Sequence, residues 1–327
     1  MILRATLCLL CLASPLRAGV PEALTGHILP GYAGFAEAAG DLAEAARQDC
    51  TAPALRARYQ LAFDAWTVVG DIRMGPSETG ALAVVFWPDA RGFTPRTLQG
   101  FIADQAPVGR DPAAYAEASI AARGLFALEQ MLYEAEFAGY APGSYACALV
   151  QTMTADMAAQ AQALQDGWRD GFAQVLLSAG GPGNASFLSE TEAMAALYTQ
   201  VMSSLEVTAD TRLGRPLGSF DRPRPTRAEA WRAGRSLRNV LLYARAARDL
   251  AVTLAPGPLP QTDAALARLE ELAGRVSDPG LQDLDDPAAR LRLEIVQQQV
   301  RTLRDTIGAE LGAPLGLSAG FNSADGD

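Results

Sequence analysis

The chain has 327 residues, enough for two domains that each close an apolar core. Alanine and leucine dominate, β-branched residues are sparse, and no segment alternates as a strand would, so helix is favoured throughout. There is no lysine and the formal charge is −10, which excludes Schiff-base chemistry on a lysine amine and argues against nucleic acid or anionic membrane surfaces as partners.

Residues 1–18 read as an export signal, with Arg4 as the positive start, a short apolar core over 5–13 and a cleavage site at Leu16-Arg17-Ala18. The apolar run is too short for a transmembrane span. Cys8 and Cys11 lie inside it without the small residues that precede a lipidated cysteine. Cleavage removes two arginines and no acids, leaving 25 basic against 37 acidic residues, or −12. The implied location is a bacterial periplasm. Two cysteines remain, Cys50 and Cys147, and an isolated pair in an oxidising compartment is most simply one disulfide. It closes a loop of roughly a hundred residues, worth about 4–5 kcal/mol on the chain-entropy model.

Helical patterns run over about 21–49 and 53–69. Gly70, Gly75, Pro76, Gly80, Pro88, Gly92 and Pro95 then break the pattern, although the apolar stretch 81–87 indicates that this irregular segment is ordered. A short helix is predicted over 95–104. The next is predicted from Asp111, as N-cap before Pro112, to about residue 136. Another, over about 143–178, carries Cys147. Residues 179–184, Ala-Gly-Gly-Pro-Gly-Asn, form the clearest linker and divide a first unit, 19–180, from a second, 185–327. Helices over 189–205, 226–250, 262–275 and 287–311 follow, with a proline-rich stretch at 215–225 and an acidic tail at 320–327.

The 226–250 helix is predicted to start at a capping box of Thr226 and Glu229. At 100° per residue, Glu229, Arg232, Arg235, Ser236, Asn239 and Tyr243 fall in a sector roughly 120° wide. Two arginines, an amide and a hydroxyl on one strip of an acidic protein suit an anion or carboxylate. On the 111–136 helix, Glu129 shares a face with Tyr115, Phe126 and Tyr133. A carboxylate in such company must be protonated, paired or metal-bound. Asp89, after Pro88, is either a turn former or a site acid. Trp66, Trp87 and Trp231 are expected to be packing anchors.

Arg123-Gly124-Leu125-Phe126-Ala127-Leu128-Glu129 resembles the helix of imelysin-like proteins that carries a Gly-x-His-x-x-Glu signature. Other landmarks of that family stand in order: Ile28-Leu29-Pro30-Gly31-Tyr32, Gly75-Pro76, Phe86-Trp87-Pro88-Asp89 and Arg215-Pro216-Leu217-Gly218. So do Glu229-x-Trp231-Arg232-x-x-Arg235-Ser236-Leu237 and the terminal Gly320-Phe321-Asn322-Ser323-x-Asp325-Gly326-Asp327. The resemblance covers nearly the whole mature chain. It implies an all-α fold of two antiparallel helical bundles, a cell-envelope location, an association with iron acquisition and a site between the bundles. Members of the family were once considered metallopeptidases. Here Phe126 replaces the signature histidine, and only Gly124 and Glu129 carry over. With His27 the sole histidine, a zinc site with several nitrogen ligands is unavailable.

Three readings follow. The first is a non-catalytic binding protein whose cleft has Glu129 on one wall and Arg232, Arg235, Ser236 and Asn239 on the other. Glu129 would pair with one arginine and leave the second for a small anionic ligand or metal chelate, with envelope iron-uptake proteins as further partners. The second is a hydrolase with oxygen-only ligation of iron or another hard cation by Glu129, Asp89 and the tail carboxylates Asp325 and Asp327. The third is an interaction protein of the envelope in which the same polar groups only brace the two bundles.

Overall fold

The computed structural model describes residues 18–318. The export-signal core and the acidic tail with Asp325 and Asp327 lie outside the described residues. Within them the fold is all-α; the only strand-like feature is an isolated bridge between Ser219 and Arg222. No described helix is long and apolar enough to cross a membrane.

The first rod starts at Val20–Ala23, widens into a π turn at Leu24–Ile28 and continues as α1, Leu29–Gln48. Pro30 explains the widening: it lacks an N–H, and its ring crowds the carbonyl four residues back. Helix α1 buries Tyr32, Phe35, Ala39, Leu42 and Ala46, the three-and-four spacing of one apolar face. That face packs against α2, Ala52–Val69, and against the long helix that carries Cys147. Cys50 and Cys147 are joined, fastening the α1–α2 turn to the first turn of that helix. Trp66 is fully buried beside Phe35.

The glycine- and proline-rich segment holds a short helix, α3 (Pro76–Val84), then an irregular stretch with a cis Trp87–Pro88 bond. Helix α4 spans Phe93–Asp104. The expected single helix over 111–136 is instead three pieces: Pro112–Tyr115, a 3₁₀ turn at Ile120–Ala122, and α5, Gly124–Tyr133. Asp111 does cap the first piece. The break is fixed at Gly124, whose φ is +72° and where a Cβ would stand 2.1 Å from the Val84 carbonyl oxygen. Arg123, just before it, forms a bidentate pair with buried Asp156 at 2.9 and 2.7 Å. Tyr115 therefore does not share a helix with Glu129. Helix α6, Tyr145–Gly167, follows, capped by Ser144.

Beyond the 179–184 turns come α7 (Glu190–Glu206, capped by Ser189), α8 (Ser236–Leu254), α9 (Pro260–Ala273) and α10 (Pro287–Ile307). The helix predicted to begin at residue 226 begins ten residues later. Residues 228–235 form a looped segment in which Ala230 (φ +48°) and Gly234 (φ +64°) take left-handed conformations that no helix tolerates. The capping box does not form, because Glu229 is buried and bonded elsewhere. Helices α7 to α10 pack on one another, and α8 also lies against α2. The start of the chain joins them: the Gly19 amide donates to the Thr253 carbonyl, and Val20–Ala23 packs on α7 and α8. One connected apolar core runs from Val20 to Leu317.

Candidate functional site

The predicted polar strip is not a helix face. Only Ser236, Asn239 and Tyr243 stand on α8; Arg235 occupies its N-cap position, and Glu229 and Arg232 belong to the preceding loop. The loop nevertheless brings these side chains to α2 and α5.

Arg235 is 1% exposed and every guanidinium nitrogen is engaged. Nη2 donates to Asp64 at 2.8 Å, Nη1 to the Gln60 side chain and carbonyl at 2.6 and 3.1 Å, and Nε to Asn239 at 2.7 Å. The group lies 4.1 Å over the Phe63 ring. Asn239 passes the connection on, donating to Glu229 Oε2 at 2.9 Å. The same oxygen accepts from Arg212 Nε at 3.0 Å, and Arg212 closes a bidentate pair with Asp71 at 2.7 and 2.9 Å. Ser236 donates to the Gly280 carbonyl at 3.3 Å. This buried chain of charges fastens α2 and the residues after it to α8 and the segment before it. Its members spend their donors on one another, so Arg235, Ser236 and Asn239 present little to a ligand. Burial opposes ionisation of Asp64, but Arg238 and Arg235 hold its carboxyl below the ordinary range.

Glu129 sits at another point of the same meeting. It is 2% exposed and accepts the Ala233 amide at 3.0 Å, so the loop backbone, rather than a guanidinium, caps it. Burial pushes its pKa up to about 7, against the Ala233 amide and the nearby Arg232 charge. Arg232 itself pairs with Glu134 at 2.5 Å and stacks 4.5 Å over Trp231.

Between the 86–95 segment, α5 and the 215–232 segment lies a cavity of about 150 Å³. Trp87, Asp89, Phe126, Glu129 and Gln130 line it from the first half of the chain, and Arg215, Arg227, Trp231 and Arg232 from the second. Of the sequence-predicted site residues, the cavity gathers Glu129, Asp89 and Arg232 and leaves out Arg235, Ser236 and Asn239. Asp89 works as a turn former, accepting the Phe93 and Thr94 amides at 2.9 and 2.7 Å. Burial would raise its pKa, but these amides hold it low. Two buried polar atoms of the lining, Gln130 Oε1 and Thr94 Oγ1, have no partner.

Of the cavity's arginines, Arg215 entered the sequence reading only as part of a family landmark and Arg227 not at all. Fifteen of the twenty-five described arginines pair with a carboxylate, and Arg215, Arg222, Arg224 and Arg227 are among the ten that do not. Half-burial and the neighbouring Arg227 charge lower the Arg215 pKa. Four arginines within residues 215–227 of an acidic chain was the available signal.

The donor set of the described residues does not fit a directly ligated metal. Among the described residues, no three of His, Cys, Asp or Glu come together. Phe126, at the position of the signature histidine, stacks on Trp87 and packs edge-on against Phe63. His27 is buried elsewhere, its Nε2 3.1 Å from the Val68 carbonyl oxygen, and burial lowers its pKa.

The family model described as Imelysin matches residues 28–307. Among solved structures, an imelysin-like protein from Psychrobacter arcticum 273-4 superposes with a TM-score of 0.75 at 17% identity, covering 92% of this chain and 96% of that one. A protein described as an iron-regulated protein A precursor, from Parabacteroides distasonis ATCC 8503, gives 0.70 at 13% identity, covering 89% and 94%. At such identities the likeness is one of fold. No curated protein matches the chain.

Proposed function

The chain belongs to the imelysin family, and on that premise we propose that it is a non-catalytic binding protein of the bacterial periplasm. Its ligand is a small polycarboxylate or a metal chelate carrying free carboxylates, held in the cavity between the 86–95 segment and the 215–232 segment. The observation that carries this reading is that Arg215 and Arg227 line the cavity without a carboxylate partner among the described residues. An acidic protein that matches most of its arginines internally has left these two facing a concave space, where a ligand carboxylate completes bidentate pairs. Protonated Glu129 would donate a hydrogen bond to such a ligand, and Trp231 and Trp87 would supply its apolar walls.

A link to iron acquisition rests on the iron-regulated name of the Parabacteroides relative. A ferric chelate suits the cavity better than a bare ion, since the walls offer cations and too few oxygen ligands. Partner proteins would then be other envelope components of iron uptake. The Cys50–Cys147 bridge and the precursor name of that relative support export. The bracing reading applies to a different set of residues, Arg235, Asn239, Glu229 and Arg212, which hold one another through the Glu229 Oε2 and Arg235 bonds already described. A metal-dependent hydrolase has no ligand cluster among the described residues.

Calorimetric titration with citrate and with ferric citrate tests the proposal. The wild type should bind one of them, and Arg215→Gln/Arg227→Gln should weaken it at least tenfold at an unchanged melting temperature. Equal binding by the variant removes the cavity from consideration.

A further inference from the structure

Trp87 and Pro88 also line a second and larger cavity, of about 270 Å³. Its charged lining consists of Asp71, Arg73, Arg212 and Glu229. Asp71 and Arg212 neutralise each other through their bidentate pair. Glu229 commits Oε2 to Arg212 and Asn239, but its Oε1 is buried with no partner, and the residue is 1% exposed. Arg73 meets no carboxylate among the described residues, and its Nη1 is buried with no acceptor. Its backbone is fixed by the Gln200 side chain, which accepts the Arg73 amide at 2.8 Å.

A buried guanidinium nitrogen and a buried carboxylate oxygen, both unsatisfied, are each costly. Their residues line one cavity and need opposite things: Arg73 Nη1 lacks an acceptor and Glu229 Oε1 lacks a donor. Val85, Trp87 and Val207 give the same space an apolar wall. We propose that this cavity is a second binding site, for a small amino or hydroxy acid. The ligand carboxylate sits on Arg73, its ammonium or hydroxyl donates to Glu229 Oε1, and its hydrocarbon part lies against Val85 and Trp87. The site is independent of the anion proposed at Arg215 and Arg227.

The test is calorimetric titration of the exported protein with three near-isosteric acids: L-valine, 2-hydroxyisovalerate and isovalerate. L-valine, 2-hydroxyisovalerate or both should bind at least tenfold more tightly than isovalerate, and the one that does identifies the ligand as amino or hydroxy acid. Arg73→Met should weaken that binding at least tenfold without lowering the melting temperature, because Arg73 has no ion pair to lose. Glu229→Gln should erase the preference over isovalerate, but it disturbs the Arg212 network, so Arg73→Met carries the decision. Absence of binding by all three acids at millimolar concentration, or undiminished binding by Arg73→Met, overturns the proposal. Arg215→Gln/Arg227→Gln should leave valine or hydroxyisovalerate binding intact; its loss there would place the ligand in the first cavity and also overturn it. Failure of citrate binding alone touches only the first cavity.

Discussion

Arg227 and Arg235 lie in one connecting segment of the same acidic chain, and their surroundings are opposite. Arg235 is sealed beneath the α8 N-terminus and satisfied by Asp64, Gln60 and Asn239. Arg227 is exposed at the mouth of a cavity and, with Arg215, meets no carboxylate among the described residues. A helical wheel cannot separate a brace from a binding group, since both are arginines with polar neighbours. What separates them is whether the protein has already supplied the counter-charge.

The sharpest way to break that contrast is Arg235→Met. It strands the Gln60 and Asn239 acceptors and leaves Asp64 with Arg238 alone, and removing one partner of a buried pair costs about 3–5 kcal/mol. The melting temperature should fall on the order of 10 °C, as differential scanning calorimetry would read. A shift of only a degree or two would mean that the buried chain of charges is not a brace.

The next effect is set by pH. Glu129 has its folded pKa raised by burial, from 4.5 to about 7. Between those values the unfolded chain has released a proton that the folded one keeps, so stability declines as pH rises through that window. The decline attributable to Glu129 amounts to about 3 kcal/mol. Glu129→Gln, isosteric and still able to accept the Ala233 amide, should flatten that part of the profile when urea midpoints are compared at pH 5 and pH 8. An unaltered slope in the variant would show that Glu129 does not titrate there.

Smaller effects are expected at the cavity rim. Arg232→Ala breaks a partly exposed pair with Glu134 and should cost about 0.2–1 kcal/mol in chemical denaturation. Arg215→Gln/Arg227→Gln should stay within about 0.5 kcal/mol of wild type, since neither residue loses an ion pair. A substantial loss of stability in that double variant would place these arginines with the brace.

The legible parts of the fold were the long periodic segments. The α1 face of Tyr32, Phe35, Ala39 and Leu42 and the starts of α7 after Ser189 and of α10 at Pro287 follow local rules, while the Cys50–Cys147 bridge followed from the count of cysteines left after export. The failures lie where tertiary contacts override propensity. Gly124 is helix-compatible in isolation, but its approach to the Val84 carbonyl forces a break. Ala230 is a strong helix former held at positive φ while Glu129 takes the Ala233 amide and Arg212 takes Glu229. Glu129 was visible as a carboxylate among apolar neighbours, but its partner was not: the Ala233 amide, rather than the expected guanidinium, caps it. The partners of Arg235 were not, because Asp64 and Gln60 lie on a helix some 170 residues earlier. Arg73, Arg215 and Arg227 matter for what they lack, and a missing partner has no pattern in a sequence.

The most direct measurement is native mass spectrometry of the protein released gently from a periplasm, as wild type and as Arg215→Gln/Arg227→Gln. The account predicts an acidic small-molecule mass retained by the wild type and absent from the double variant, both equally folded. A bare wild-type mass, or the same polycarboxylate or chelate adduct on both proteins, would contradict it; a small amino- or hydroxy-acid adduct on both belongs to the second cavity.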